Sequence, residues 1–251
     1  MRLLTFSFLK NCTLKSFFNG KPRKYSRVTQ TEPKIPQLKG DPNYIEISPT
    51  WDTDIKPELR AAVLQDMQVY PGFVTEEEEA SLLAELEPYL KRMRYEFDHW
   101  DDAIQGFRET ERSQFKPENQ VILDRVKALA FTTDTLPHVH VLDLAAAGFI
   151  KPHIDAVRVI EDGDVLQFCG DVIAGVCLCS SAVMRLEHQH EPALALHALL
   201  EHRALYVMKG VARYEFTHAV LGGERSQWRH RPVPRRRRVA VLCRARPEPS
   251  S

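Results

Sequence analysis

The sequence predicts an α+β fold, a β-sandwich or barrel buttressed on one side by the helices that precede it. Two patterns carry this expectation. Between residues 73 and 131 apolar residues recur at helical spacing, and from Pro137 onward the period falls toward two, in short runs separated by turn residues. Helices first and strands afterwards is the order of a sheet covered on one side. Size agrees: 251 residues with 43% hydrophobic content suit one catalytic-size domain plus an extension, and exclude a fully disordered chain.

The first 40 residues hold nine Lys/Arg against the single acid Glu32, which puts +8 there and −8 on the remainder of a chain of net charge zero. With Leu3, Phe6, Leu14, Phe17 and Phe18 available to an apolar face, residues 1 to 40 are expected to be a mitochondrial transit peptide leading to the matrix. A short secretory signal and a disordered basic tail are the alternatives. The prolines of residues 41 to 64 (Pro42, Pro49, Pro57) suggest a linker, residues 65 to 246 the domain proper, and 247 to 251 a tail.

Thr75 followed by Glu78 is a capping-box pattern, and Glu76 to Glu79 suit the positive end of a helix dipole as a solvated first turn. Leu82, Leu83, Leu86, Leu90 and Met93 then recur on one face. A second helix is expected from Pro117 to Phe131 on the stripe Val121, Ile122, Val126, Leu129 and Ala130. Strands are expected at Val139 and Val141, then at 149–154, 172–178, 182–186, 204–208, 214–220 and 239–243. No internal repeat is evident, and no apolar run approaches the ~18 residues of a spanning helix. The cysteines Cys12, Cys169, Cys177, Cys179 and Cys243 form no C-x-x-C pair and are expected to be reduced thiols, with Cys177 and Cys179 as small strand residues.

His153-Ile-Asp155 lies at the end of an expected strand, where residues i and i+2 share a face, so one imidazole and one carboxylate project together. His218, on a later strand 63 residues after Asp155, is the best candidate for a third ligand. Two histidines and one carboxylate on one face of an ion leave positions open, the arrangement of non-haem Fe(II) oxygenases. Along the strand 238 to 244 alternation turns Arg238, Ala240, Leu242 and Arg244 inward. Two guanidiniums entering a partly buried cavity need anions there, and a dicarboxylate such as 2-oxoglutarate meets that need. The alternative is structural: His153 and Asp155 hydrogen-bonding each other at a strand end, beside a solvated arginine run. His138 and His140 are read as satisfied core or surface histidines. Between Arg225 and Arg246 lie nine arginines and no carboxylate, so one surface is able to hold a phosphate or another anion.

The ordered segments Arg-Tyr-Glu-Phe-Asp-His-Trp (94 to 100), Gly-Phe-Arg-Glu-Thr-Glu (106 to 111), Val-His-Val-Leu-Asp-Leu (139 to 144), Lys-Pro-His-Ile-Asp (151 to 155), Phe-Cys-Gly (168 to 170), Val-Met-Arg-Leu (183 to 186), Leu-Tyr-Val-Met-Lys-Gly-Val-Ala-Arg-Tyr-Glu-Phe-Thr-His (205 to 218) and Arg-Arg-Val-Ala-Val-Leu-Cys-Arg (237 to 244) resemble the AlkB-like Fe(II)/2-oxoglutarate-dependent dioxygenases. The resemblance covers residues 65 to 246. It implies a double-stranded β-helix (jelly roll) core buttressed by N-terminal helices. It also implies Fe(II) bound by His153, Asp155 and His218, 2-oxoglutarate held by Tyr206, Arg238 and Arg244, and O2 as oxidant, with succinate and CO2 released as a C–H bond is hydroxylated. Arg238 is expected on the far carboxylate with Tyr206 donating a hydroxyl, and Arg244 near the metal-side carboxylate or Asp155.

Departures accompany it. Ala240 and Leu242 stand where the family pattern has Asn and Thr, and Leu142-Asp143-Leu144 where it has Asn-x-Tyr, which leaves Tyr206 as the replacement donor. Residues 91 to 113 lack the look of an aromatic lid for a flipped base, so DNA repair is not expected. The expected substrate is a protein or another macromolecule, with mitochondrial RNA demethylation and a catalytically silent interaction module as alternatives. The resemblance further implies links to programmed necrosis after alkylation damage and to fatty acid metabolism. A monomer is expected. Ala156 to Gln167 is longer than the family pattern, either a tolerated acidic loop or a disturbance of the strand.

Overall fold

The computed structural model describes residues 39–97, 103–156, 158–161, 164–167 and 169–247, with backbone alone for the two short internal segments. The expected leader lies outside the described residues, but for its last two positions. After a 3-10 turn at Pro42–Tyr44 come β1 (Ile45–Ile47), α1 (Pro57–Asp66), β2 (Met67–Tyr70), α2 (Glu76–Leu90), β3 (Ile104–Arg112), α3 (Pro117–Ala130) and β4 (Val139–His153). Then follow β5 (Arg158–Glu161), β6 (Asp164–Gln167), β7 (Val172–Leu178), β8 (Ala182–His188), β9 (Ala195–Leu200), β10 (Leu205–Lys209) and α4 (Gly210–Tyr214). The last elements are β11 (Phe216–Val220), β12 (Gln227–Trp228), β13 (Arg231–Pro232) and β14 (Arg238–Arg244).

All the long strands are antiparallel, in the order β1-β9-β8-β11-β4-β14-β7-β10-β2, with β3 also on β4. β4 is the hinge of this arrangement. Its first half pairs with β3 and β14, and its last residues pair with β11, so one strand belongs to both halves of a jelly roll. Where it crosses, the β3–β4 register shifts between Gln105 and Phe107, and Gly106 takes φ +65°. The Gly106 carbonyl crowds Gly148 so closely that no side chain fits there, the geometry of a bulge that bends a strand.

Alternation sorts the side chains into two cores. Leu142, Leu144, Ala240 and Leu242 face the interior with Met184, Leu186 and Phe216. Val141, Val239 and Val241 face the other way, against Leu82, Leu86, Ile122 and Val126 of α2 and α3. Each such apolar side chain contributes about 1.5–3 kcal/mol through burial, so α2 and α3 are held against the face of the sheet that carries β14.

Three expectations change. Residues 41–64 are not a bare linker: β1 pairs with β9, Ile45 opposite Ala198, and Pro57 opens α1, where a missing N–H costs nothing. The glutamate run is more than a solvated turn. Glu78 completes the capping box with Thr75 and also accepts from Arg125 at 2.8 and 2.9 Å, while the buried Glu79 accepts from Cys179 N at 2.7 Å and faces His202 Nε2. Lastly, the long connection after Asp155 forms its own hairpin, β5 on β6 with Glu161 opposite Asp164, and β7 resumes the sheet beyond it.

Candidate active site

His218 on β11 stands directly opposite His153 on β4, and cross-strand neighbours in an antiparallel pair project to the same face. Their ring centroids are 4.3 Å apart. Asp155 follows just past the end of β4 and turns its carboxylate between them, with Oδ1 3.2 Å from His153 Nε2 and 3.5 Å from His218 Nε2. One ligand atom from each of the three lies within 4.8 Å of the others, and no second His, Cys, Asp or Glu cluster of this kind occurs among the described residues.

His153 Nδ1 donates to the Lys151 carbonyl at 2.9 Å, which fixes the tautomer and leaves the Nε2 lone pair facing its partners. Burial, and then the neighbouring His153, push the His218 imidazole down to about 3, so it stays neutral and able to ligate. Burial alone raises the Asp155 carboxyl, but the facing His153 and His218 rings and the Arg244 guanidinium outweigh it and hold the group far below the ordinary range. The donor set, two imidazoles beside a carboxylate held ionised, fits a divalent iron.

The same cavity, about 800 Å³, is lined by Tyr206, Arg238 and Arg244 together with His153, Asp155 and His218. All six residues singled out from the sequence therefore meet in one place. Arg238 is 2% exposed, its Nε has no hydrogen-bond partner, and its Nη2 reaches only the Cys177 sulfur at 3.4 Å. A buried guanidinium so poorly matched carries a burial penalty that an anion in the cavity would relieve. Burial also raises the phenol of Tyr206, keeping it a hydroxyl donor. Arg244 Nη2 lies 3.7 Å from Asp155 Oδ2.

Sequence reading missed Gly175. It pairs with Tyr206 across β7 and β10, and a Cβ there would lie 2.7 Å from Tyr206 Cζ and 2.8 Å from Leu242 Cδ2. A glycine inside an apolar strand is the signal for such an approach. Gly175→Val is expected to cost about 1–3 kcal/mol of stability by forcing the Tyr206 ring out of its place in the cavity wall; calorimetry checks it. Asp143, part of the motif that departs from the family pattern, points away from the cavity, where Leu142 takes the lining position. His140 does line the cavity, with Nε2 2.8 Å from Glu109 Oε2.

The His218 shift carries a pH dependence for the metal-free protein. The folded value of about 3 lies below the ordinary ~6.5 of an unfolded histidine. Between the two the unfolded chain binds the extra proton, so stability falls as pH falls through that window. The depressed Asp155 acts in the same direction at the lower end. The melting temperature without metal is expected to drop steadily from pH 7 to pH 4, and His218→Phe to flatten the slope.

A jelly roll whose interior joins two imidazoles, one carboxylate and a buried arginine has the make-up of a 2-oxoglutarate oxygenase. The chain is 51% identical over 182 residues to the mouse (Mus musculus) alpha-ketoglutarate-dependent dioxygenase alkB homolog 7, mitochondrial, which spans 72% of this chain and 78% of the mouse protein. Its identity to the protein of that name from Bos taurus is 48% over 194 residues, 75% of this chain and 84% of the bovine protein. The chain thus belongs to the alkB homolog 7 family of alpha-ketoglutarate-dependent dioxygenases, whose cofactors are Fe(II), 2-oxoglutarate and O2. No family model matches it. Among solved structures, OsALKBH1 shares the fold with a TM-score of 0.51 at 12% identity, over 72% of this chain and 96% of that one.

Proposed function

We propose that this enzyme hydroxylates a C–H bond of a polypeptide substrate in the mitochondrial matrix, with His153, Asp155 and His218 holding Fe(II). The observation that carries the reading is the convergence of six side chains from separate elements on one cavity. Arg238 pairs with the far carboxylate of 2-oxoglutarate, and Tyr206 donates its hydroxyl to the same group. Arg244 keeps Asp155 ionised and turned toward the two histidines. Bound there, iron supplies with 2-oxoglutarate and O2 the oxidation that hydroxylates the substrate, and succinate and CO2 are the other products. Leu142, Leu242, Ile104 and Met184 give the chamber apolar walls, and a low local dielectric strengthens each of these polar contacts.

A polypeptide is favoured by the outer wall of the cavity. Glu109 and Glu111 line it, and they repel a phosphodiester chain. Among the described lining residues the only Phe, Tyr or Trp is Tyr206, and these residues offer no aromatic pair for a flipped base. The matrix assignment rests on the basic, hydroxyl-rich leader and on relatives named mitochondrial. The links to necrosis and fatty acid metabolism rest on the family resemblance alone.

Under argon with Fe(II), the protein is expected to develop a weak visible charge-transfer band on adding 2-oxoglutarate. In air with mitochondrial extract it should form succinate well above a His153→Ala control. A folded protein that shows neither result is not an oxygenase, and loss of N-methyl groups from RNA with release of formaldehyde, in place of hydroxylated peptides, would overturn the choice of substrate.

A further inference from the structure

A second cleft, about 690 Å³, opens on the other side of the β4 terminus and shares Ile150, Lys151, Pro152 and Val220 with the metal cavity, so the two spaces meet at a common rim. Its wall carries Arg185, Arg225, Arg229 and His230, with His197 deeper in. Arg185 is already matched by Glu187 at 2.6 Å. Arg225 and Arg229 are exposed and have no carboxylate partner among the described residues; Arg229 Nη2 donates only to the Asn43 carbonyl at 2.8 Å.

The segment that presents them is strained. Gln227 pairs with Pro232 and Trp228 with Arg231, which leaves Arg229 and His230 as a two-residue turn with φ +49° and +63°. A turn with both central residues in the left-handed region prefers Asn-Gly, because other side chains strain the backbone there. Here two basic residues hold that conformation, and non-glycine residues kept in such strain concentrate where binding uses them. Arg235 anchors the stem of the hairpin, donating to Leu221 O at 3.3 Å and Gly148 O at 3.2 Å.

We propose that this cleft is a docking subsite for an acidic segment of the polypeptide substrate, flanking the residue that enters the metal cavity. The inference rests on the polypeptide-oxygenase reading above. Arg225 and Arg229 supply guanidiniums suited to bidentate carboxylate recognition. Glu46, Glu187 and Glu224 lie on the same wall. A phosphodiester chain fixes its charges on the backbone itself, so it brings them against these carboxylates as well as the arginines. A glutamate-rich peptide carries its charges at the ends of flexible side chains, which can turn toward the arginines and away from the acids.

The test uses the full chain loaded with Fe(II) and 2-oxoglutarate under argon, titrated with fluorescein-labelled hexaglutamate and, separately, with labelled hexauridylate. Hexaglutamate is expected to bind the wild type, to bind at least tenfold more weakly to Arg225→Glu/Arg229→Glu, and to be unaffected by Arg92→Glu, an exposed residue that lines neither cavity. Arg229→Asn/His230→Gly, which relaxes the turn, is expected to melt higher than wild type and also to bind more weakly. The charge-transfer band, unchanged in all variants, shows that the metal cavity is intact; its absence from the wild type would sink the oxygenase reading and leave the peptide titration to be judged by itself. No hexaglutamate binding, equal affinity in wild type and both hairpin variants, or tighter binding of hexauridylate overturns the proposal.

Discussion

Arg238→Met is expected to stabilise the ligand-free protein while abolishing its 2-oxoglutarate band. The guanidinium is 2% exposed, with one nitrogen unpaired and a sulfur as its nearest acceptor. Replacing a buried ionic group by an apolar side chain of similar volume is often worth 1–4 kcal/mol in stability. In a domain of this size about 2–4 °C of melting temperature accompanies each kcal/mol, so the rise should reach several degrees. Co-substrate binding moves the opposite way, because losing one partner of a buried charge pair costs roughly 2–5 kcal/mol. The wild type should gain stability on adding 2-oxoglutarate and the variant should not. Both halves are read by calorimetry with and without the keto acid, and a variant less stable than wild type in its absence would mean that Arg238 has a structural partner after all.

That residue also shows what was legible in the sequence. Alternation along an apolar strand turned 238, 240, 242 and 244 inward, and those four do line the cavity. His153, Asp155 and His218 were legible for a similar reason: each lies on or beside a strand, and β-strand periodicity fixes the side a residue faces. Periodicity does not say which strands pair. β1 is three residues long and its partner, β9, lies some 150 positions away, so the proline-rich stretch around it read as a linker. β4 read as two strands because its bend at Gly148 breaks the apolar alternation, yet that bend brings His153 opposite His218. The basic cleft was visible only as a run of arginines, since β-strand order decides which of them share a surface.

Asp143 is the largest omission, and Asp143→Ala carries the largest expected loss of stability. The carboxylate is fully buried on the helix side of β4. It accepts from Arg108 Nε at 2.7 Å, from Arg237 Nε and Nη2 at 3.0 and 2.8 Å, and from the Tyr95 hydroxyl at 3.1 Å. Arg237 also meets Glu87 of α2, so one acid ties β3, β14, a helix and the Tyr95 segment to the strand that bears the metal histidine. Removing it leaves Arg108, whose side chain is 12% exposed, with no carboxylate and only the Met93 carbonyl at 3.2 Å, while Arg237 keeps Glu87 and some solvent. Breaking a buried pair from one side costs about 3–5 kcal/mol, equivalent to a fall in melting temperature of roughly 10 °C for a domain of this size. Because the carboxylate faces away from the cavity, the 2-oxoglutarate band should survive at low temperature. Asp143→Asn, which keeps acceptor and shape but not charge, should fall between. A shift below 2 °C for the alanine variant would show that water reaches Arg108 and that the cluster is not what clamps the sheet to the helices.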